Sequence, residues 1–363
     1  MKSAILLATA ACVIAAAGFT AASPASAADD SFLKGLSGSL NFNQSGGELQ
    51  KGFDAAFAQR FTEVSGVKVN YSSPQTDFAR IKAMKEADAM EYDLLELGGE
   101  GDVIFLSKNG LLEKLDTKAL GIDHLPKEYV SDYGVAYGPS GSTLIWNTSV
   151  WPANGKHPTS VLDLFNTKDF PGKRCIFGGG PSTNGILEYA LMADGVPADK
   201  VYPIDMERAL KKLDTIRNDL VFWNSGAESV QFVLDGQCDL GTTWSGRPAL
   251  RKRQDPDAPI AMTWKDAMVG GGWFAIPTGA KNSAAAAAMI KLAMRPESQA
   301  KLCNIIAYCL PIPGVKELID EAMRPWVPID DNIKQTALVE NGEFYAKNLP
   351  ALTERWNAWR LGK

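Results

Sequence analysis

The stretch LNFNQSGGELQKGFDAAFAQRFTEVSGVKVNY, residues 40–71, decides the fold. Leu40–Asn43 reads as a short strand, and Gln44-Ser45-Gly46-Gly47 as a polar, glycine-rich loop. Leu49, Phe53, Phe57 and Phe61 then recur every four residues, which lines one face of a helix with apolar side chains. Ser65-Gly66 closes that helix, and Val67–Tyr71 reads as the next strand. Further on, Asp77–Met90 is helical with mixed charges outside, and Tyr92–Leu97 is an apolar strand. Gly98-Gly99-Glu100-Gly101 opens onto a helix at Val103–Lys108. Strand alternating with helix in this way implies a parallel sheet covered on both faces.

A second alternating series begins at Arg174–Phe177. It continues with helices at 184–192 and 206–217, a strand at 221–223, a helix at 227–234 and a strand at 239–244. Thr143–Trp146 is a strand between the two series. Val161–Phe165 is a short helix capped by Ser160 or Thr159. Gly272–Ile276 is a last apolar strand ending at Pro277. The remainder reads as helical: 284–294, 296–307, 315–323, 333–340 and 351–360. Two α/β units are therefore expected, each with loops leaving the C-terminal ends of parallel strands. Ligands bind at such edges because backbone N–H groups and helix N-termini converge there. Two units facing each other make a cleft for a small polar solute.

Composition narrows the function. Of 363 residues, 45% are hydrophobic and 22% charged, with Lys+Arg 37 against Asp+Glu 42 and a formal net charge of −5. That balance excludes a disordered chain and a generic basic nucleic-acid binder. Residues 1–27 read as a secretory signal peptide. Lys2 is the only charge before Asp29, Ala4–Ala17 is apolar or small, and Ala25-Ser26-Ala27 offers the small-x-small cleavage pattern. No later stretch reaches the ~20 apolar residues of a membrane span. The expected location is the periplasm.

Four cysteines remain after that leader: Cys175, Cys238, Cys303 and Cys309. An even count in an oxidising compartment favours disulfides. Of the three pairings, Cys175–Cys238 and Cys303–Cys309 are favoured. The first pair flanks two strand-like runs that fit as neighbours in one sheet, and the second lies six residues apart where a helix ends. Four buried free thiols are the alternative. No close cysteine pair with histidine nearby suggests a metal site, since His124 and His157 are the only histidines and both look like surface loop residues. No G-x-S-x-G elbow, H-E-x-x-H or P-loop lysine appears, so no catalytic residue is expected. A periplasmic hydrolase and a ligand sensor docking on a receptor are the competing readings.

A resemblance rests on residues spread over the mature chain. They are Phe61–Val69, Tyr92-Asp93-Leu94, Gly110–Asp116, Leu162–Phe165 with Phe170–Lys173, Leu234–Gly241 with Trp244, and Ala275-Ile276-Pro277 with Ala280-Lys281-Asn282. In their order and spacing the chain resembles the extracellular solute-binding proteins of ABC importers, family 1, most closely the spermidine/putrescine-binding type. The resemblance implies a two-lobe, type II periplasmic-binding-protein fold, α/β, with two hinge crossovers. Residues 30–142 plus 278–325 would form lobe 1, residues 143–277 lobe 2, and 326–363 C-terminal helices packing back on the lobes. It further implies a monomer without cofactor that carries a small molecule to the transmembrane permease subunits of the importer.

The binding residues depart from the polyamine pattern, which uses aromatic boxes and carboxylates to hold ammonium groups. Trp244 matches a cleft aromatic. Gln44 and Ser45 stand where an aromatic and an acid are expected. Gly98, Gly99 and Glu100 replace a Ser/Thr–aromatic pair. Ser182, Thr183 and Asn184 begin a helix that lacks the acid expected near Gly185. Gly270-Gly271-Gly272-Trp273 lacks a Trp-x-Asp clamp, with Gly272 near the missing Asp. Tyr137 precedes the first crossover and offers a hydroxyl. Arg247 adds a positive charge, suited to carboxylate oxygens. Glu96, Glu100 or Asp102 would receive an amine. The expected solute is thus polyamine-like or a zwitterionic or acidic organic compound, with Trp273 shared between ligand contact and hinge packing.

Overall fold

The computed structural model describes residues 29–75 and 77–363, so the leader expected at 1–27 lies outside the described residues. Ten strands form one sheet: β1 (Ser39–Asn43), β2 (Lys68–Ser72), β3 (Leu94–Leu97), β4 (Val130–Ser131), β5 (Gly134–Asn147), β6 (Arg174–Phe177), β7 (Leu220–Trp223), β8 (Leu240–Trp244), β9 (Ile260–Ala275) and β10 (Leu338–Val339). The order along the sheet is β2-β1-β3-β9-β5-β8-β6-β7, with β4 on β5 and β10 on β9.

The two parallel series expected from the sequence are the ends of this path. β2, β1 and β3 run parallel at one end, and β8, β6 and β7 at the other. Two long strands, β5 and β9, join them through antiparallel pairing from Val135↔Phe274 to Asn147↔Ile260, with register shifts at Ala136/Gly138 and Ser142/Leu144. β9 is far longer than the apolar run at 272–276 suggested. Its first half alternates poorly in hydrophobicity and its second half holds three successive glycines, Gly270–Gly272, so pairing with β5 rather than pattern defines it.

Each end has its own core. Leu49, Phe53, Phe57 and Phe61 are buried as their spacing predicts, against Phe42 and Phe274. Gly66, with φ of 74°, ends the helix in the left-handed conformation that glycine adopts without steric cost. A second core gathers Trp146, Leu164, Ile176, Tyr189 and Leu213, and the last helix, Gly342–Arg360, adds Tyr345, Trp356 and Trp359. That helix begins nine residues before the start expected at Ala351 and runs through Pro350.

Two expected helices are not formed. Within 315–323 only a short 3₁₀ turn, Lys316–Leu318, is present; Pro311 and Pro313 precede it and Pro325 and Pro328 follow. Within 333–340 the helix Asp330–Lys334 stops early, and Leu338–Val339 instead pairs in parallel with Met268 and Val269 of β9. β3 stops pairing with β9 at Trp273, which leaves that edge of β9 open for β10. The helix Gly246–Gln254 was not anticipated.

Both disulfides join the favoured partners, Cys175–Cys238 with Cα atoms 5.7 Å apart and Cys303–Cys309 with Cα atoms 5.1 Å apart. The first closes a loop of 63 residues and the second a loop of six. Chain-entropy arguments assign about 4 kcal/mol to the first and about 2 kcal/mol to the second. Urea unfolding of the Cys175→Ser/Cys238→Ser and Cys303→Ser/Cys309→Ser double variants should show losses in that order. Equal losses would mean that loop closure does not set the contribution.

Candidate functional site

Side chains alternate between the two faces of a strand, and at the β5/β9 crossover this alternation, reset in β5 by the register shift between Ala136 and Gly138, separates two cavities. On one face Tyr137 and Ser140 of β5 and Gly272 of β9 border a cavity of about 300 Å³. On the other face Ala136, Pro139 and Trp273 border a cavity of about 280 Å³. The first lies where loops from both ends of the sheet meet. Ser45, Gln75, Glu96, Gly98 and Asp102 line it from the β1–β3 side, and Phe177, Ser182, Thr183, Trp244 and Arg247 from the β6–β8 side. Gly270–Gly272 and Tyr308 complete it.

The β1–β3 side is acidic. Glu96, on β3 and only 4% exposed, accepts from Ser45 N at 2.7 Å, from Ser45 Oγ at 2.5 Å and from the Tyr137 hydroxyl at 3.1 Å. Burial nonetheless raises its pKa, because these donors replace only part of the lost hydration. Asp102 sits in the first turn of the helix Glu100–Lys108 and accepts from Gly98 N at 2.9 Å. Burial holds its carboxyl at about 6, with the neighbouring Glu96 adding to the rise.

The β6–β8 side carries the positive charge. Arg247, in the first turn of the helix Gly246–Gln254, makes no ion pair with any described residue, and its buried Nε has no hydrogen-bond partner. Gly226 lies against the guanidinium, and a Cβ there would overlap it. The same side carries an aromatic wall. Trp244 packs on Phe177 at 5.3 Å and on Trp223 at 5.0 Å, and its Nε1 donates to Thr183 O at 2.9 Å. The floor is glycine because Tyr137 needs the room: a Cβ on residue 272 would overlap the Tyr137 phenol.

Of the residues singled out in the sequence, Ser45, Gly98, Tyr137, Ser182, Thr183, Trp244 and Arg247 meet at this cavity. Gln44 is buried beside it and accepts from Gly46 N, shaping the loop. Asn184 is also buried. Its Oδ1 accepts from Ile186 N at 3.0 Å, and its amide donates to Gly180 O and Ser182 O, so it is spent on the turn. Gly99 is not among the lining residues. Glu100 and Trp273 line the cavity on the opposite face, Trp273 because it is one residue out of phase with Gly272. Leu49, Gln75, Ser140, Phe177 and Tyr308 were not among the expected site residues. Gln75 lies in a loop without pattern, and Tyr308 follows a helix end, so nothing local marks them. No group of three or more His, Cys, Asp or Glu able to hold a metal ion is found among the described residues. No described helix is long and apolar enough to cross a membrane.

A two-ended α/β molecule with a polar cavity between its ends is a solute-binding architecture, and the comparisons agree. The chain belongs to the bacterial extracellular solute-binding proteins, whose family model matches residues 56–334. It is 27% identical over 333 residues to the gamma-aminobutyric acid-binding protein of Pseudomonas aeruginosa, covering 88% of this chain and 90% of that protein. It is 25% identical over 308 residues to the spermidine/putrescine-binding periplasmic protein of Escherichia coli, covering 79% and 81%. The solved Atu4243-GABA receptor superposes with a TM-score of 0.81 at 31% identity, covering 89% of this chain and 97% of that one. The fold is thus the expected two-lobe periplasmic-binding-protein type.

A carboxyl with a raised pKa favours the folded state while protonated, so its stabilising contribution is whole below the ordinary value and lost as pH rises through the raised one. For Asp102 that window runs from 3.8 to about 6. Across it, ligand-free Asp102→Asn protein should gain on the wild type by about 2 kcal/mol in urea unfolding. If the wild type gains instead, Asp102 is stabilised in its charged form.

Proposed function

We propose that this chain captures a short zwitterionic amino acid of the γ-aminobutyrate type and delivers it to the permease of an ABC importer. One observation carries the reading: a single cavity of about 300 Å³ has Glu96 and Asp102 on one side and an Arg247 without ion-pair partner on the other. An ω-amino acid satisfies both sides at once. Its ammonium faces the carboxylates, its carboxylate the guanidinium, and its methylenes the Trp244–Phe177 wall. A diamine would place its second cation beside Arg247, at a Coulomb cost that is large where water is excluded. The GABA-binding relative and the GABA receptor structure support the choice, and the polyamine-binding relative names the competitor.

In this reading residues 30–142 plus 278–325 and residues 143–277 act as two lobes hinged on β5 and β9. The solute favours closure because its contacts to both sides exist together only in the closed form. The protein is a monomeric, non-enzymatic carrier in the periplasm, exported by its leader. N-terminal sequencing of the exported protein should begin at Ala28.

Calorimetric titration tests the solute. GABA should bind, putrescine should bind far more weakly, and Arg247→Met should weaken GABA at least about thirtyfold by leaving the bound carboxylate unpaired. Tighter binding of putrescine, unaffected by Arg247→Met, would overturn the reading.

A further inference from the structure

Thr183 lines the cavity in a conformation that its side chain disfavours. Its φ is 61°, in the left-handed region where a β-branched residue is an outlier. Such backbone persists only where surrounding contacts hold it, and here both of its peptide groups are held. The Trp244 indole donates to Thr183 O at 2.9 Å, and Thr183 N donates to Glu340 Oε1 at 2.8 Å.

Glu340 comes from far along the chain. It follows β10 directly, and its own N–H donates to Val269 O on β9 at 2.9 Å. Its carboxyl therefore hangs from the crossover strand, reaching Thr183 on one side. A Cβ on Gly99 would sit 3.0 Å from its Oε2, and one on Gly270 3.2 Å away. A second bond from the same segment fixes the same loop: the Tyr345 hydroxyl donates to Glu188 Oε1 at 2.7 Å and reaches Pro181 O at 3.3 Å.

We infer that Glu340 is a positioning residue of the solute site, its carboxyl holding Thr183 in the left-handed conformation and so setting the Ser182–Thr183 edge of the cavity. The segment after the lobes is then part of the binding apparatus. The inference rests on this cavity being the solute site, but not on which solute fills it. Burial and the nearby acids Glu188, Asp102 and Glu100 push the Glu340 carboxyl up to about 8. Glutamine, which keeps a neutral acceptor of the same length, is thus the matched replacement.

The test uses the full mature protein with Glu340→Gln, Glu340→Leu and Glu340→Ala, each alone and with Thr183→Gly. Hydrogen exchange at the Thr183 amide and titrations with GABA and with putrescine are read in parallel. Glu340→Leu should expose the Thr183 amide to exchange and weaken the bound solute about tenfold, while Glu340→Gln stays within about threefold of the wild type. In the Thr183→Gly background, where the left-handed conformation costs little, the same removal should cost less than about threefold. Glu340→Ala repeats the measurement should the leucine variant not fold. An unchanged Thr183 amide, or a loss just as large with glycine at 183, overturns the inference. If the wild type binds putrescine and not GABA, the zwitterion reading falls, and the Glu340 effect on putrescine decides the inference. If it binds neither, amide exchange decides: unchanged protection overturns it, and loss confined to Glu340→Leu and Glu340→Ala supports it.

Discussion

Among the described strands β5 and β9 lie side by side at the middle of the sheet path and join its two ends, and their antiparallel pairing is the constraint on which the cavity depends. Their alternation, reset in β5 by the register shift between Ala136 and Gly138, assigns Tyr137, Ser140 and Gly272 to one face and Ala136, Pro139 and Trp273 to the other. Their glycines allow the backbones to lie close: a Cβ on Gly271 would meet Gly138 O at 2.7 Å, and one on Gly138 would meet Cys309 N at 2.6 Å. A larger residue at either position forces the strands, or the chain after the helix Pro296–Ile306, to move. The cavity's floor is therefore made by the same contacts that join the two halves.

Charge is unevenly placed around the cavity. Burial raises the pKa of both Glu96 and Asp102, so each carboxyl is harder to ionise than in water. Arg247, across the cavity, has no described anion to pair with. On the proposed reading a solute with both charges meets both sides, and part of its binding free energy would come from relieving groups that the empty protein leaves poorly solvated.

The fold was largely readable because its helices bury regular apolar faces. The Leu49–Phe53–Phe57–Phe61 spacing and the strands beside Cys175 and Cys238 needed no tertiary information. The long crossovers were not readable, since Gly270–Gly272 breaks any two-residue pattern and β9 is held by its partner. Leu338–Val339 looked helical because two residues carry no period, and an open edge on β9 decided their state. At the site, Arg247 and Trp244 stood out through charge and position. Trp273 misled because only the register shows that it faces away. Glu340 gave no signal, since its role depends on a contact with Thr183 across 157 residues of chain.

Specificity in this cavity comes as much from what is missing as from what is present. Residue 272 and the Tyr137 phenol compete for one volume, so a carboxylate on residue 272 and this placement of Tyr137 exclude each other. With glycine there, the middle of the cavity presents a phenol whose hydroxyl is already given to Glu96. That phenol stays neutral, its pKa pushed well above the ordinary value by burial and by Glu96. Negative charge is thereby confined to the Glu96 and Asp102 side, and among the described residues the one guanidinium lining the cavity, that of Arg247, comes from the other. The cavity is thus polar along one direction. On the proposed reading, a symmetric dication matches it in neither orientation and an ω-amino acid in one.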